Sequence, residues 1–105
     1  MPKFVLAYHG APQFSSPDEG KQHMVDWMAW REGLGAAVID PGLPVGPSQT
    51  VTRGGVQPDG GANPLSGFTV VEASDMAAAL GMAQACPHVA RGGSIEVAEA
   101  LNMQM

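Results

Sequence analysis

Residues 3–32 read KFVLAYHGAPQFSSPDEGKQHMVDWMAWRE, and this stretch contains the signals of a strand followed by those of a helix. The run from Lys3 to Tyr8 is short and rich in β-branched and aromatic residues, and a glycine and a proline follow at positions 10 and 12. Such a run, bounded by turn residues, is typical of a strand. We therefore predict a first strand here.

The signals of the helix come directly after this strand. Ser16 can cap the helix, Pro17 fits its first position, and Glu19 stands three residues after Ser16, as in a capping box. The helix should run to about Arg31 or Glu32 and end at the glycines of positions 33 and 35. At about 100° per residue, one side of the helix becomes a buried stripe, formed by His23, Trp27, Trp30 and Leu34, with Met24 and Met28 beside it.

The rest of the chain repeats this order of elements. Residues 41–66 are rich in glycine and proline and predict a long loop with a short extended piece at 49–52. Further strands are predicted at 36–40, 67–73 and about 94–98, with a second helix at about 75–85 that Ser74 caps. The order β-α-β, long loop, β-α-β predicts a single α+β domain over residues 1–105. Its fold would be ferredoxin-like (βαββαβ), with a four-stranded antiparallel sheet and both helices on one face.

Both faces of this predicted sheet are apolar. In the first strand Phe4, Leu6 and Tyr8 point to one side, whereas Val5 and Ala7 point to the other. A sheet with one face in water should alternate apolar and polar residues, and two helices can cover one face only. We therefore expect a homodimer that packs sheet against sheet; an apolar loop folded over the second face is the alternative.

The composition narrows the class of protein. The 105 residues include five Lys and Arg and ten Asp and Glu, a net charge of −5 that argues against binding to nucleic acid. No apolar run approaches the ~20 residues of a membrane-spanning helix, and no secretory signal is visible. The single cysteine, Cys86, cannot form an internal disulfide, so we expect a cytoplasmic protein without a membrane partner.

Three short motifs resemble those of one protein family. They are Gln22-His-Met24 in the first helix, the glycine- and proline-rich run from Asp40 to Pro47, and Cys86-Pro-His with the following Gly-Gly-Ser-Ile-Glu-Val97. With them, nearly the whole chain resembles the YCII-like (DGPF-related) proteins. The resemblance implies a ferredoxin-like dimer of the α+β barrel type, similar in build to muconolactone isomerases. Some members carry a proposed His/Asp pair; His23 matches its histidine, but Cys86 stands at the aspartate position.

The predicted topology also places several reactive side chains at one edge of the sheet. The first two strands end there, the second helix ends there, and the last strand begins there. Histidine transfers protons near neutral pH, and a neighbouring aspartate would orient it. We therefore predict His9, His23 and Asp40 as catalytic candidates. The predicted binding residues, which would suit an apolar or aromatic acid, are Tyr8, Trp27, His88 and Ser94.

Several uses of this edge stay open. The site could carry out an isomerase-like or lyase-like proton transfer, bind a metabolite without turnover, or belong to an accessory or structural dimer. A metal site built from the three histidines is conceivable, but no ligand motif supports it, so no metal or cofactor is predicted. Cys86 follows a helix end, where the dipole opposes a thiolate, and is expected to be a packed thiol. Met103 and Met105 could pack across a partner or belong to a frayed terminus.

Overall fold

The computed structural model describes residues 1–103. The predicted packing of Met105 lies outside these residues, and Met103 is exposed. A short 3-10 turn, Gly35–Ala37, follows the first helix. The helices and strands, in chain order, are β1 (Lys3–His9), α1 (Pro17–Leu34), β2 (Val38–Asp40), β3 (Thr50–Thr52), β4 (Gly55–Gln57), β5 (Leu65–Glu72), α2 (Met76–Gln84), α3 (Pro87–Ala90) and β6 (Ser94–Glu99).

Four strands form one sheet in the order β2-β5-β1-β6, and every neighbouring pair is antiparallel. In the centre, Leu6 of β1 lies opposite Thr69 of β5 on one side and Val97 of β6 on the other. The predicted α+β class with a four-stranded antiparallel sheet is confirmed. No helix among the described residues is long and apolar enough to cross a membrane.

The core lies between one face of this sheet and the helices. Phe4 and Leu6 of β1 and Val71 of β5 are fully buried there, as the alternation along each strand predicts. Ala79 and Ala83 of α2 join them in one cluster. From α1, Trp27 and Trp30 pack against the same cluster, so both helices cover the face that carries Phe4, Leu6 and Tyr8. The predicted stripe of α1 is therefore present, although Met24 and Met28 beside it are exposed.

The caps of the two long helices differ in detail from the prediction. Ser16 Oγ accepts the N–H of Glu19, and the Glu19 carboxylate accepts the N–H of Ser15 rather than that of Ser16. Helix α1 runs past Gly33 to Leu34 and ends at Gly35, whose φ of +56° favours glycine. At α2 the cap is Asp75, one residue after the predicted Ser74, because the Asp75 carboxylate accepts the N–H of Ala78 at 2.9 Å.

The segment 41–66 is more ordered than the predicted long loop. Its first part runs beside β5: the Leu43 carbonyl accepts the N–H of Phe68, and the N–H of Val45 donates to the Ser66 carbonyl. Strands β3 and β4 then form a hairpin in which Val51 lies opposite Val56. The extended piece predicted at 49–52 coincides with β3. A helix that the sequence analysis does not include, α3, follows α2 and begins at Pro87.

Candidate functional site

A cleft of about 570 Å³ opens between α1 and the start of β5. We call it the α1 cleft. Residues of α1 form one wall, and the segment 41–45 with the first half of β5 forms the other; Tyr8 of β1 and His88 of α3 also line it. Successive side chains of a strand point to opposite faces, so Tyr8 and Thr69 stand on the helix side of the sheet. Gly67 lines the cleft on the same side but has no side chain, which leaves space for the cleft.

His23 is the central polar group of the α1 cleft. The ring lies in the second turn of α1, is 5% exposed and lines the cleft. The indole N–H of Trp27, one turn later, donates to His23 Nε2 at 2.8 Å. An indole nitrogen can only donate, so Nε2 carries the lone pair and the neutral ring holds its proton on Nδ1. Nδ1 is buried and has no partner among residues 1–103.

The charge of the His23 ring follows from its surroundings. Burial lowers the pKa of the ring below its ordinary value of 6.5, and electrostatic interactions with Arg91 and His88 lower it further, although Asp26 acts in the opposite direction. Protonation at Nε2 would also break the bond from Trp27. The neutral form with Nδ1–H, a buried donor without an acceptor among residues 1–103, is therefore the form in the folded chain.

A chain of hydroxyl groups lies on the sheet side of the α1 cleft. Tyr8 donates to Thr69 Oγ1 at 2.6 Å, and the Thr69 hydroxyl donates to the Pro41 carbonyl at 3.1 Å. Burial raises the pKa of Tyr8 far above its ordinary value of 10.0, so its hydroxyl stays protonated. Because the hydroxyl protons of Tyr8 and Thr69 are both used in these hydrogen bonds, the Tyr8 oxygen can serve a ligand only as an acceptor. The Tyr8 ring meets Trp27 edge to face at 5.3 Å.

His88 joins the site to the sheet. The ring is 4% exposed, and its Nε2–H donates to the backbone carbonyl of His9 at 2.8 Å. Gly93 leaves room for this ring, because a Cβ at that position would overlap it. His88 therefore lines the α1 cleft with one nitrogen already used to fix α3 to the end of β1.

The segment between β1 and α1 covers the His23 ring. Phe14 packs on His23 with ring centroids 5.3 Å apart. The Arg91 guanidinium lies 5.4 Å from the centroid of Phe14 and forms an ion pair with Glu19 at 3.1 Å. Sequence reasoning did not identify Phe14 and Arg91, because their meeting depends on the position of α3.

The structure brings together four of the seven predicted site residues. Tyr8, His23, Trp27 and His88 line the α1 cleft, whereas His9, Asp40 and Ser94 do not. His9 follows Tyr8 directly, so the pleat of β1 points its side chain to the opposite face of the sheet. The order of the elements predicts that these residues lie at one edge of the sheet, but it does not predict to which face of the sheet each side chain points.

His9 has a different set of partners there. Its Nδ1 lies 3.0 Å from the Asn63 carbonyl and 3.2 Å from the Pro64 carbonyl, and its Nε2 lies 3.1 Å from a Glu96 carboxylate oxygen. Ser94, exposed, lies opposite His9 in the register.

Asp40 is exposed, and its carboxylate accepts the N–H of Gly42 at 2.8 Å. Among residues 1–103 no hydrogen bond joins Asp40 to His9 or His23, so the His–Asp pair predicted for catalysis is not formed there.

Two further residues of the cleft were missed by sequence reasoning. Ser66 Oγ is buried and, within the described part of the chain, has no partner. Arg31 lines the cleft two turns after His23. The spacing of His23, Trp27 and Arg31, four residues apart each time, is visible in the sequence and could have placed all three on one side of α1.

Cys86 lies outside the α1 cleft. The thiol is buried to 1% exposure in the core, and burial raises its pKa to about 11. This agrees with the predicted packed thiol. Within residues 1–103, no group of three His, Cys, Asp or Glu side chains lies close enough together to hold a metal ion.

Comparisons with known proteins add no family: no protein-family model matches this chain, and no curated protein matches it. The function is therefore argued from the geometry of the α1 cleft.

Proposed function

We propose that the protein binds a small, largely apolar organic molecule in the α1 cleft, through a hydrogen bond from His23 Nδ1–H to an oxygen of that molecule. The observation that carries the proposal is the buried donor without an acceptor. Leaving such a group unsatisfied costs about 1–3 kcal/mol, which an acceptor atom on a ligand would recover. Ser66 Oγ, buried without a partner as well, supplies a second polar contact.

The size and lining of the cleft support this class of ligand. Its volume of about 570 Å³ falls within the range of roughly 300–1,000 Å³ that small-molecule sites occupy. Tyr8, Trp27 and Trp30 offer aromatic surfaces, to which an aromatic ring can pack edge to face or offset. Met24 and Met28 line the cleft while 61% exposed, and such unbranched side chains adjust to the shape of a ligand.

The position of the His23 proton favours binding over proton abstraction. A general base needs a free lone pair directed at the substrate, but the lone pair of neutral His23 is occupied by Trp27. His23 can donate to a carbonyl oxygen, which orients a ligand and polarises it. Metabolite binding therefore has stronger support than the proton transfer that the sequence also predicts.

We also propose that the chain is a YCII-like protein with a ferredoxin-like fold. If the four strands of the sheet are numbered by their order in the chain, their order across the sheet is second, third, first and fourth. Two interleaved β-α-β units require this order. In this family setting Cys86 replaces the aspartate of the proposed pair, and its protonated thiol is a poor substitute for a carboxylate. This replacement agrees with a binding function.

We further propose a homodimer through the sheet face opposite the helices. Val5 lies between Val70 and Ala98 on that face, and Ala7 lies beside Phe68. A compact monomer of 10.8 kDa exposes about 5,500 Å², whereas this chain exposes 7138 Å². Its radius of gyration is 15.1 Å, where about 13 Å is usual for this length. A second copy would cover part of this excess surface.

The binding function can be tested with neutral aromatic carbonyl compounds. Acetophenone, benzamide and phenylacetamide are titrated into the protein while tryptophan fluorescence is recorded, since Trp27 and Trp30 line the cleft. At least one of them should change the fluorescence saturably. Failure of the whole panel to bind, with the chain folded, would contradict the proposal.

Two substitutions of His23 test the roles of its two ring nitrogens separately. Gln reaches the position of Nε2 and can still accept from Trp27, whereas Asn reaches that of Nδ1 and can still donate. His23→Gln should weaken binding about tenfold, the equivalent of one lost hydrogen bond, and His23→Asn should weaken it less. Lys21→Gln, an exposed change on α1, is the control and should leave the affinity unchanged. Equal affinities for His23→Gln and Lys21→Gln would remove His23 from the binding site.

A further inference from the structure

We propose that the ligand of the α1 cleft carries a carboxylate that Arg31 holds, with an acceptor oxygen at its other end for His23. This inference rests on the proposed binding function and narrows it to one class of molecule. That class is the small aromatic carboxylates with a second oxygen acceptor, such as aromatic keto acids.

The charge distribution around the cleft supports an anionic ligand. Arg31 is the one residue with a charged side chain among those that line the cleft, although the whole chain has a net charge of −5. Within residues 1–103 no carboxylate forms an ion pair with Arg31, whereas Arg91 is paired with Glu19. A cation that lines an apolar cleft without a counterion favours negatively charged ligands.

The arrangement of α1 sets the shape of the ligand. His23, Trp27 and Arg31 are four residues apart each time, so they lie in one row along the helix. The row extends over eight residues, about 12 Å along the helix axis. It presents a hydrogen-bond donor, an aromatic surface and a cation in that order. A molecule with an acceptor oxygen, a ring and a carboxylate in the same order matches it.

A carboxylate fits Arg31 better than other anionic groups of this size. The planar guanidinium can donate two parallel N–H bonds to the two oxygens of one carboxylate. A phosphate monoester would bring about two negative charges to a cleft with one arginine. The proposal therefore commits to the singly charged group.

The test uses two probes that differ at one end only, where 4-acetylbenzoate has a charged carboxylate and 4-acetylbenzamide has a neutral amide. Dissociation constants are measured by tryptophan fluorescence and by calorimetry on the full chain. The carboxylate should bind at least tenfold more tightly than the amide. Added salt should weaken the binding of the carboxylate and leave that of the amide unchanged.

Substitutions then assign the difference to Arg31. Arg31→Gln should remove the tenfold preference for the carboxylate over the amide, and Arg31→Lys should retain part of the preference. Arg53→Gln is the matched control, because Arg53 is exposed in the turn between β3 and β4 and does not line the cleft. Circular dichroism confirms that each variant is folded.

The outcomes separate this inference from the proposed function. Equal binding of both probes, or a preference that survives Arg31→Gln, would overturn the inference and leave the binding function standing. Tighter binding of phenyl phosphate than of 4-acetylbenzoate would overturn the choice of carboxylate. If neither probe binds and the neutral panel also fails, the binding function itself is wrong.

Discussion

His23 makes the stability of the fold depend on pH. Its pKa is lower in the folded chain than its ordinary value of 6.5, chiefly because the ring is buried. Below pH 6.5 the unfolded chain therefore binds a proton that the folded chain binds less readily, so acid favours unfolding. The contribution of neutral His23 is fully present above pH 6.5 and is lost as the pH falls through the lowered pKa.

Urea unfolding at pH 8 and pH 5 measures this effect. The free energy of unfolding should fall more between these pH values for the original chain than for His23→Gln, which cannot titrate. His9 and His88 are present in both proteins, so the difference isolates His23. Identical pH dependence of the two proteins would show that the ring titrates alike in the folded and unfolded chains.

Cys86 gives a second prediction at the scale of a residue. With 1% exposure and a pKa raised to about 11, the thiol should not react with a disulfide reagent such as Ellman's reagent in folded protein at pH 8. One thiol should react at once in 8 M urea. Rapid labelling of the folded chain would mean that the C-terminal end of α2 opens easily.

The residues of the site show what a strand pattern can and cannot predict. Tyr8 and His9 were assigned to one edge of the sheet, and both are there. Because they are neighbours on β1, however, their side chains point to opposite faces, and Tyr8 alone lines the cleft. Ser66 could not be predicted, since its burial depends on the segment 43–45 that runs beside it.

At the scale of the elements, the start of α1 is the feature that the sequence predicts best. Ser16 Oγ caps the helix by accepting the N–H of Glu19 at 3.3 Å. Ser16→Ala should lower the free energy of unfolding by about 1 kcal/mol, the usual effect of losing such a cap. Ser74→Ala is the matched control, because Ser74 is exposed and Asp75, not Ser74, caps α2. Equal losses in urea unfolding would show that the Ser16 hydroxyl is not the cap.

The hairpin of β3 and β4 shows where element prediction ends. Each strand has three residues, too few for alternation to stand out from a glycine- and proline-rich background. The available signal was the turn at Arg53 and Gly54, because a two-residue loop with a glycine between two short extended runs is typical of a hairpin. The predicted cap of α2 was wrong by one residue, because Ser74 and Asp75 are both good capping residues and the sequence does not decide between them.

At the scale of the whole molecule, a four-stranded antiparallel sheet follows from the sequence of elements, whereas the covering of the second sheet face does not. Two β-α-β units allow few arrangements, so a four-stranded sheet could be predicted from the pattern. The apolar residues of the second face predict that something covers them, yet a loop and a second copy satisfy the pattern equally well.

The dimer prediction is tested by mass in solution. Sedimentation of the original chain over a concentration series should give about twice 10.8 kDa. Val5→Asp places a charge between Val70 and Ala98 and should give the monomer mass, or dissociation at concentrations at least tenfold higher than for the original chain. Val25→Asp is the matched control, since Val25 is 60% exposed on α1 and lies outside both the sheet face and the cleft.

A second variant keeps the dimer prediction testable if Val5→Asp fails to fold. Val70→Thr keeps the size and the β-branched shape of the side chain while it adds one hydroxyl to the same face, so the sheet should be retained and the dimer weakened. Circular dichroism separates loss of the fold from loss of the dimer. A monomer mass for the original chain at every concentration, or a full dimer for a folded Val5→Asp, would mean that the sheet face is not the interface. In the second case, the dimer would have to form through another surface, such as the exposed Val51 and Val56 of the hairpin.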